Sequence, residues 1–341
     1  MIKIGGDIVN IRLNRDLSNI DKCIKFINEN GITRIWLLAD FTYDSFDIGF
    51  LEGIRKSSQV KGLFVAENST GAEVLYKFSE LEDLFFTPRI DEIIDLSRFP
   101  KLKKLSTGNF NSFMNADKVS LKELYIGVKT ANFDAVSEIS SLKELKMEGI
   151  KDFSFNKIRA LENLNRVDVD QMNLKNLTGI EKLKNLKKLH IQYARSLERL
   201  DGILQLKKLS FVRLISCPKI TDISELAESP AITRLDLENI KNCDLTKLCK
   251  LKTLESLYLD NCGSVPSLKF IEGLSNLKYF SFIDTNILDG DLRPCLKLKL
   301  AATLDKRHYN LKDSELPNEP DPELANLPSY PKAEEILLYK I

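Results

Sequence analysis

The sequence predicts an α/β solenoid of short parallel strands. Three observations support this: a repeated apolar pattern, a regular repeat length, and apolar residues three apart in the segments between the strands. The pattern is LxxLxL, in which other apolar residues replace Leu in some copies. Clear copies lie at residues 81–86, 121–126, 142–147, 164–169, 186–191, 209–214, 232–237, 254–259 and 277–282. Looser copies lie at 32–37, 60–65, 102–107 and 300–305. A pattern that stays in phase over so many copies indicates a repeat architecture.

The repeat length is the distance between the second apolar positions of successive copies. These positions are residues 35, 63, 84, 105, 124, 145, 167, 189, 212, 235, 257, 280 and 303. After a first interval of 28 residues, the intervals lie between 19 and 23, and the last six are 22, 23, 23, 22, 23 and 23. The chain therefore contains about thirteen candidate repeats, and its C-terminal half is the more regular.

Each copy of the pattern predicts one strand with an apolar and a polar face. Side chains alternate across a strand, so the last two apolar residues point to one side and the residue between them points to the other. The path after Ile191 has apolar residues three apart, at Leu197, Leu200, Ile203 and Leu206. Steps of three favour a 3₁₀ or short helical convex side, opposite a concave parallel sheet.

Residues 121–300 resemble the leucine-rich-repeat family, and their repeat length of 22–23 residues resembles that of bacterial internalin-like repeats. The resemblance implies a horseshoe that binds a ligand and does no chemistry. The family usually has Asn or Cys three residues after the second strand Leu. Here that place holds Asn68, Ile150, Met172, Ala194, Cys217, Ile240, Cys262 and Thr285, so the usual asparagine ladder is largely absent.

The ends of the chain are predicted to cap the array, because terminal repeats would otherwise expose the core. Residues 1–31 form the expected N-terminal cap, with a strand over 7–14 and an amphipathic helix over 17–30. Residues 32–310 form the solenoid. Residues 311–341 begin with a tether that carries five prolines between 316 and 331, and end with a capping strand over 333–341.

Composition limits the classes of partner. The 50 Lys and Arg residues nearly balance 49 Asp and Glu residues, which gives a net charge of +1. Nucleic-acid binding and polybasic membrane docking both need a positive surplus, so neither partner is expected. No signal peptide and no apolar stretch long enough to span a bilayer is recognisable. We therefore expect a cytoplasmic protein, or a secreted one if a leader precedes this sequence.

The sequence shows no constellation typical of an enzyme or a metal site. The two histidines, His190 and His308, stand apart, and the HExxH, GxGxxG and P-loop motifs are absent. The six cysteines are scattered and form no CxxC pair, so we interpret them as reduced thiols. Cys217 and Cys262 occupy the inward loop position and are expected to be structural. We predict that the chain is not an enzyme and that it binds no cofactor and no metal.

The outward strand positions are where a solenoid binds its partner. The central column reads Trp36, Phe64, Phe85, Ser106, Tyr125, Lys146, Asp168, His190, Arg213, Asp236, Tyr258, Ser281 and Leu304. A neighbouring column is acidic, with Glu148, Asp170, Glu238 and Asp260, and the opposite flank carries Arg166, Lys188 and Arg234. The candidate partner-binding residues are Asp168, Asp170, His190, Tyr193, Arg213, Asp236, Glu238, Tyr258 and Asp260. A mixed polar surface is also normal for any strand that faces water. An ordinary solvated surface is therefore the alternative to a partner-binding surface.

The predicted function is a non-enzymatic protein–protein interaction scaffold that binds a protein partner on its concave face. By family resemblance, a bacterial immunity or adaptor protein fits this description. The alternative is a host-directed or cell-surface recognition module released from a larger or secreted protein. The sequence does not identify the partner.

Overall fold

The computed structural model describes residues 2–3, 7–12, 18–38, 46–88, 91–127 and 131–322. The chain divides into two compact units, Met1–Leu186 and Lys187–Ile341. Each unit consists of short parallel strands joined by turns and short helices, as the repeat pattern predicts.

The first unit contains an N-terminal helix and a run of parallel strands. Its strands are β1 (Ile2–Lys3), β2 (Ile8–Arg12), β3 (Arg34–Leu38), β4 (Phe46–Asp47), β5 (Gly62–Thr70), β6 (Asp83–Pro88), β7 (Ile94–Asp95), β8 (Lys104–Thr107), β9 (Phe113–Met114), β10 (Glu123–Ile126), β11 (Glu144–Glu148) and β12 (Arg166–Asp170). Its helices are α1 (Ile20–Glu29) and α2 (Phe133–Ser137), with 3₁₀ helices at Gly49–Gly53, Ser57–Gln59, Ala72–Lys77, Leu96–Arg98, Phe110–Ser112, Ala116–Lys118, Phe155–Ile158 and Ile180–Lys182. The sheet of this unit runs β2-β3-β5-β6-β8-β10-β11-β12, all parallel, and β1 adds antiparallel to β2.

The second unit repeats the same plan. Its strands are β13 (Lys188–Gln192), β14 (Phe211–Ile215), β15 (Arg234–Glu238), β16 (Ser256–Asp260), β17 (Ser264–Val265), β18 (Tyr279–Ile283), β19 (Asn286–Ile287) and β20 (Leu300–Ala302). Its helix is α3 (Ser224–Ala227), with 3₁₀ helices at Ile203–Gln205, Leu245–Lys250, Leu268–Gly273, Arg293–Lys297 and Asp313–Glu315. The sheet runs β13-β14-β15-β16-β18-β20, and every pair in it is parallel.

Strand pairing confirms the repeat pattern except in its last copy. In the second unit the predicted second apolar positions pair in sequence, from Leu189 to Val212 and onward to Phe280. Phe280 then pairs with Ala301, not with Thr303. Both Ala301 and Thr303 are small and buried, at 4% and 5% exposure, so neither marks the inward position by its size. The prediction that Leu304 continues the central outward column is therefore wrong: Leu304 lies beyond β20 and is 48% exposed.

The N-terminal strand and helix lie within their predicted ranges. Val9 of β2 pairs with Ile35 of β3, so the strand before the first repeat keeps the register of the repeats. Helix α1 buries Cys23 and Ile27 and leaves its acidic and basic residues in solvent, which is the amphipathic pattern expected for a capping helix.

The return path of each repeat is 3₁₀ or short α-helical, as the apolar steps of three predict. Ile180 and Ile203 each begin a 3₁₀ helix and are completely buried. Each is preceded by a glycine with positive φ, 101° at Gly179 and 102° at Gly202. These glycines let the chain turn into the helix in a conformation that L-residues with a Cβ avoid.

Two buried thiols occupy the inward loop position. The Cys217 Sγ lies 3.4 Å from the carbonyl oxygen of Ile215, and the Cys262 Sγ lies 3.3 Å from that of Leu237. In the next repeat, the Thr285 hydroxyl accepts from the Cys262 backbone N–H at 3.0 Å. These side chains satisfy loop backbone where the family uses asparagine, which confirms the structural role expected of Cys217 and Cys262.

The C-terminal segment begins by pairing with the last strand. Leu300 and Asn318 form an antiparallel bridge, and the Ala301 N–H donates to the Pro317 carbonyl at 2.9 Å. The Glu319 N–H donates to the Lys299 carbonyl at 2.8 Å. This part of the predicted tether is therefore attached to the edge of the sheet. The capping strand predicted over 333–341 lies outside the described residues.

Gly31 and Gly179 of the first unit both have a positive φ, but they differ in the space around an added Cβ. Gly31 has a φ of 58° and no heavy atom within 4 Å of an added Cβ. At Gly179 the added Cβ would lie 2.5 Å from the Asn156 backbone nitrogen. We expect Gly31→Ala to cost about 1 kcal/mol of stability from its left-handed backbone. Gly179→Ala adds a clash that costs about 1–3 kcal/mol more.

Urea denaturation followed by circular dichroism measures both costs, with the wild-type chain as reference. Equal shifts of the unfolding midpoint for the two variants would contradict the close packing of Gly179.

Candidate functional site

The outward residues of the second unit form two rows across the sheet. The outer row is defined as the residues between the two inward positions of each strand, and it consists of His190, Arg213, Asp236, Tyr258 and Ser281. The flank row lies two residues earlier on each strand, and it consists of Lys188, Phe211, Arg234, Ser256 and Tyr279. Neighbours in a row sit on adjacent strands, which are about 4.8 Å apart.

Four members of the flank row are buried although they project from the outward face. Phe211, Arg234, Ser256 and Tyr279 are exposed by 8%, 4%, 4% and 7%. The sequence places Arg234 in this row, on the basic flank of the outward surface. The outward face between β14 and β18 is therefore covered along one side.

Arg234 is the centre of the buried part of the flank row. Its guanidinium lies over the Phe211 ring at 5.0 Å and over the Tyr258 ring at 4.7 Å. The Arg234 Nε and Nη2 donate to the two carboxylate oxygens of Asp236, at 3.1 and 3.3 Å. The pair is possible because residues two apart on a strand share a face. Two rings and a bidentate carboxylate together fix the orientation of the guanidinium.

Asp321 of the C-terminal segment reaches the same place. Its Oδ2 accepts from the Tyr258 hydroxyl at 2.6 Å and from the Ser256 hydroxyl at 3.2 Å, and lies 3.8 Å from the Arg234 Nη1. The Asp321 side chain is 1% exposed. We name this set of residues, Arg234, Asp236, Ser256, Tyr258 and Asp321, the Arg234 network.

Burial dominates the protonation of the Arg234 network. Desolvation raises the pKa of Asp236 above its ordinary value, although the charges of Arg234 and Arg213 lower it. Burial and the hydrogen bond to Asp321 raise the pKa of Tyr258 well above its ordinary value. The Tyr258 hydroxyl is therefore a proton donor throughout the physiological pH range.

A second constellation follows the ends of the strands. The residue after each of β13, β14, β15, β16 and β18 has a left-handed backbone. This left-handed row consists of Tyr193, Ser216, Asn239, Asn261 and Asp284, with φ between 49° and 56°. The backbone N–H of Tyr193, Ser216, Asn239 and Asn261 each donates to the last carbonyl of the next strand, at 2.8–2.9 Å. The Asn261 side-chain amide donates to Asn239 at 2.5 Å, and that of Asn239 donates to Ser216 at 3.2 Å. The row is therefore held by backbone and side-chain bonds.

Tyr193 is the unusual member of the left-handed row. Asn and Asp tolerate this conformation because their short polar side chains bond locally, whereas a bulky residue in it is strained. Tyr193 is 45% exposed, so its ring is only partly covered by the protein. The strained backbone makes Tyr193 a candidate functional residue.

The predicted site residues fall into three groups. Asp168 and Asp170 lie in the first unit, where Asp168 is bound by the Arg166 Nε and Nη2 at 2.9 Å. Asp236 and Tyr258 belong to the Arg234 network. The remaining residues are His190, Tyr193, Arg213, Glu238 and Asp260, of which Tyr193 and Asp260 are exposed.

The structure brings some of these residues together and reveals others that the sequence pattern missed. In the strand register, Arg213 lies beside Asp236 on the neighbouring strand, and Asp236 lies beside Tyr258 on the next one. Glu238 pairs with Asp260, which places two acidic residues side by side. Arg234 and Ser256 were missed as site residues, although the alternation of the strand places them on the outward face. Asp321 carries no signal in the repeat pattern, since it lies 63 residues after Tyr258.

We expect Tyr193→Asn to stabilise the second unit by up to about 1 kcal/mol, because asparagine tolerates the left-handed backbone better than tyrosine. Thermal unfolding measures the change. Tyr193→Phe is the control, because it keeps both the aromatic ring and the strain and should leave the unfolding temperature unchanged. A lower unfolding temperature for Tyr193→Asn would show that the ring contributes more packing than the strain costs.

Buried thiols make the stability of the second unit sensitive to alkaline pH. Burial raises the pKa of Cys217 and of Cys262 to about 11, and that of Cys295 to about 12. A raised pKa favours folding while the thiol is protonated, so this stability is fully present below the unfolded value of about 9. It is then lost as pH rises towards 11 and 12.

We expect the urea midpoint to fall steadily between pH 9 and pH 11 under reducing conditions. Cys217→Ala should reduce this pH dependence by up to about 1.4 kcal/mol for each pH unit, even if it lowers stability at pH 7.5. Identical pH profiles for the variant and the wild type would rule out the contribution of Cys217.

Comparisons with known proteins agree with this geometry. No protein-family model matches the chain. The internalin InlF of Listeria monocytogenes matches with a TM-score of 0.51 and 16% identity, over 82% of each chain. A leucine-rich-repeat protein of Leptospira interrogans matches with a TM-score of 0.44 and 15% identity, over 82% of this chain and 85% of that one. TLR13, solved in complex with ssRNA13, matches with a TM-score of 0.50 and 16% identity, over 89% of this chain and 47% of that one.

The repeat pattern, the parallel pairing and the likeness to the internalin InlF define the fold. The chain has the leucine-rich-repeat fold, with an open parallel sheet and 3₁₀ or short α-helical return segments. Within the described ranges, no group of three or more His, Cys, Asp and Glu side chains is arranged to hold a metal ion. No helix in the described part of the chain has the length and hydropathy needed to cross a membrane.

Proposed function

We propose that this chain is a non-enzymatic scaffold that binds a protein partner through the outward sheet face of its second unit. The observation that carries the proposal is the strained and exposed Tyr193, held by a ladder of backbone bonds beside a row of charged and aromatic residues. Aromatic and Arg side chains contribute most of the binding energy in protein interfaces. A surface that is already ordered loses little conformational freedom on binding.

The charges of this face favour protein over nucleic acid. Glu238 and Asp260 lie side by side, and the positive charge of Arg234 is already compensated by Asp236. Phosphate backbones need an excess of Lys and Arg, and the whole chain carries a net charge of +1. The RNA in the TLR13 complex makes nucleic acid the competing partner class, and nuclease treatment distinguishes the two.

The finer form of the proposal is a bacterial immunity or adaptor protein that acts in the cytoplasm. The alternative is a host-directed or cell-surface recognition module. Both rest on the leucine-rich-repeat fold, which the chain shares with an internalin. Fractionation of the source cells separates them, because the first requires the full-length protein inside the cell and the second requires it at the surface or outside.

The test compares two triple variants as baits in affinity capture from the source cells. The face variant is Tyr193→Asn, Arg213→Ala and Asp260→Ala, which leaves the members of the Arg234 network intact. The control variant is Gln205→Ala, Lys269→Ala and Glu272→Ala, all exposed positions on the 3₁₀ helices. We expect a protein that binds the wild type and the control variant, and binds the face variant about tenfold more weakly or worse.

The capture is repeated with nuclease and with purified components. A partner lost from both triple variants, or from neither, would contradict binding through the outward face. Loss of the captured material on nuclease treatment would move the proposal to nucleic acid.

A further inference from the structure

The buried donors around Asp321 resemble a binding site more than a chance surface contact. The Tyr258 and Ser256 hydroxyls of β16 donate to the Asp321 Oδ2 at 2.6 and 3.2 Å, and the Arg234 Nη1 of β15 lies within ion-pair distance of it at 3.8 Å. The guanidinium is 5% exposed and is enclosed by two aromatic rings. Charge-assisted bonds in such a desolvated place are stronger and more selective than exposed ones.

Asp321 reaches this place from a segment that is anchored elsewhere. Residues 317–319 are bonded to the edge strand β20, and Lys299 binds the Glu319 carboxylate at 2.7 Å. Pro320 and Pro322 flank Asp321 and have no backbone N–H to donate. The Asp321 carboxylate is therefore a principal attachment of this short extended stretch to β15 and β16.

Arg234 has contacts that orient it apart from its contact with Asp321. Arg234 is oriented by its bidentate pair with Asp236 and by the Phe211 and Tyr258 rings. Arg213 also acts electrostatically on Asp236. Without Asp321, the Ser256 and Tyr258 hydroxyls would lose this acceptor, and Arg234 would keep only Asp236 as a bonded carboxylate. The donors of the emptied site would then be in place to bind another carboxylate.

We propose that Arg234, Ser256 and Tyr258 form a carboxylate-binding site in the outward face, in which Asp321 is an internal occupant that an acidic, extended segment of the protein partner replaces. This inference rests on the proposed function and adds the chemical class of the partner to it. The segment at 316–322 then acts as a competitor within the chain. A tethered competitor has an effective concentration of about a millimolar, so it excludes weak acidic ligands and admits a tighter one.

The test uses a labelled peptide with the sequence of residues 316–323, Leu-Pro-Asn-Glu-Pro-Asp-Pro-Glu. Its affinity for full-length wild type, Asp321→Ala and Glu272→Ala is measured by fluorescence anisotropy. We expect Asp321→Ala to bind the peptide about tenfold more tightly than wild type or Glu272→Ala, since the internal competitor is lost. A peptide with Asn in place of its Asp should bind none of them measurably.

Tyr258→Phe in the Asp321→Ala background tests the donors. It keeps the ring over Arg234 and removes one hydroxyl, so peptide affinity should fall by about threefold to tenfold. Asp321→Asn serves as a second opened variant, because it preserves side-chain volume and loses the charge. Circular dichroism and thermal unfolding show which variants are folded.

Equal peptide affinity of folded Asp321→Ala and wild type would overturn the inference, and so would failure of both Asp321 variants to fold, because the network would then be an internal support. A partner that needs Tyr193, Arg213 and Asp260 but binds Asp321→Ala no more tightly than wild type would overturn the carboxylate site and leave the proposed function standing. If the wild-type chain binds no protein partner at all, that result would instead contradict the proposed function.

Discussion

Every repeat of this chain has to bring its strand back beside the preceding strand, about 4.8 Å away and in the same register. A shift by one residue would turn the buried leucines outward, so parallel pairing constrains all other positions. The inward columns, such as Leu189, Val212 and Leu235, are completely buried for this reason. The left-handed residues after β13, β14, β15 and β16 serve the same requirement, because the N–H of each bonds to the next strand where the chain turns away.

Most of the fold follows from the sequence because a solenoid repeats one local solution. Alternation within LxxLxL identifies the inward positions, and steps of three identify the 3₁₀ segments. The pattern fails at the last copy, where Ala301 and Thr303 are both small and the edge strand is instead paired by residues 317–319. A position that is specified by pairing with a distant segment leaves no mark in local periodicity.

The candidate site could be predicted only in its outline, for the same reason. The outer row follows directly from alternation, and so does the ability of Arg234 to reach Asp236 on its own strand. The carboxylate of Asp321, which completes the Arg234 network, belongs to a proline-rich segment outside the repeats. The left-handed backbone of Tyr193 could not be predicted from the sequence either. Asparagine, which favours this conformation, stands at this position only in the later repeats, at 239 and 261.

Tyr193 and the Arg234 network each contain an unfavourable contribution to stability, and the two contributions differ in kind. Tyr193 stores backbone strain in an exposed position, whereas the network removes charged groups from water. Burial raises the pKa of Asp236 despite two nearby arginines, so desolvation outweighs attraction at that carboxylate. Pairing with Asp236 and Asp321 offsets this cost for Arg234 only while both carboxylates are present. An outward face could satisfy folding with small polar residues at both places, as Asn239 and Ser281 do in neighbouring repeats. The proposed recognition rests on these two places, where backbone strain and buried charge occur in the same unit.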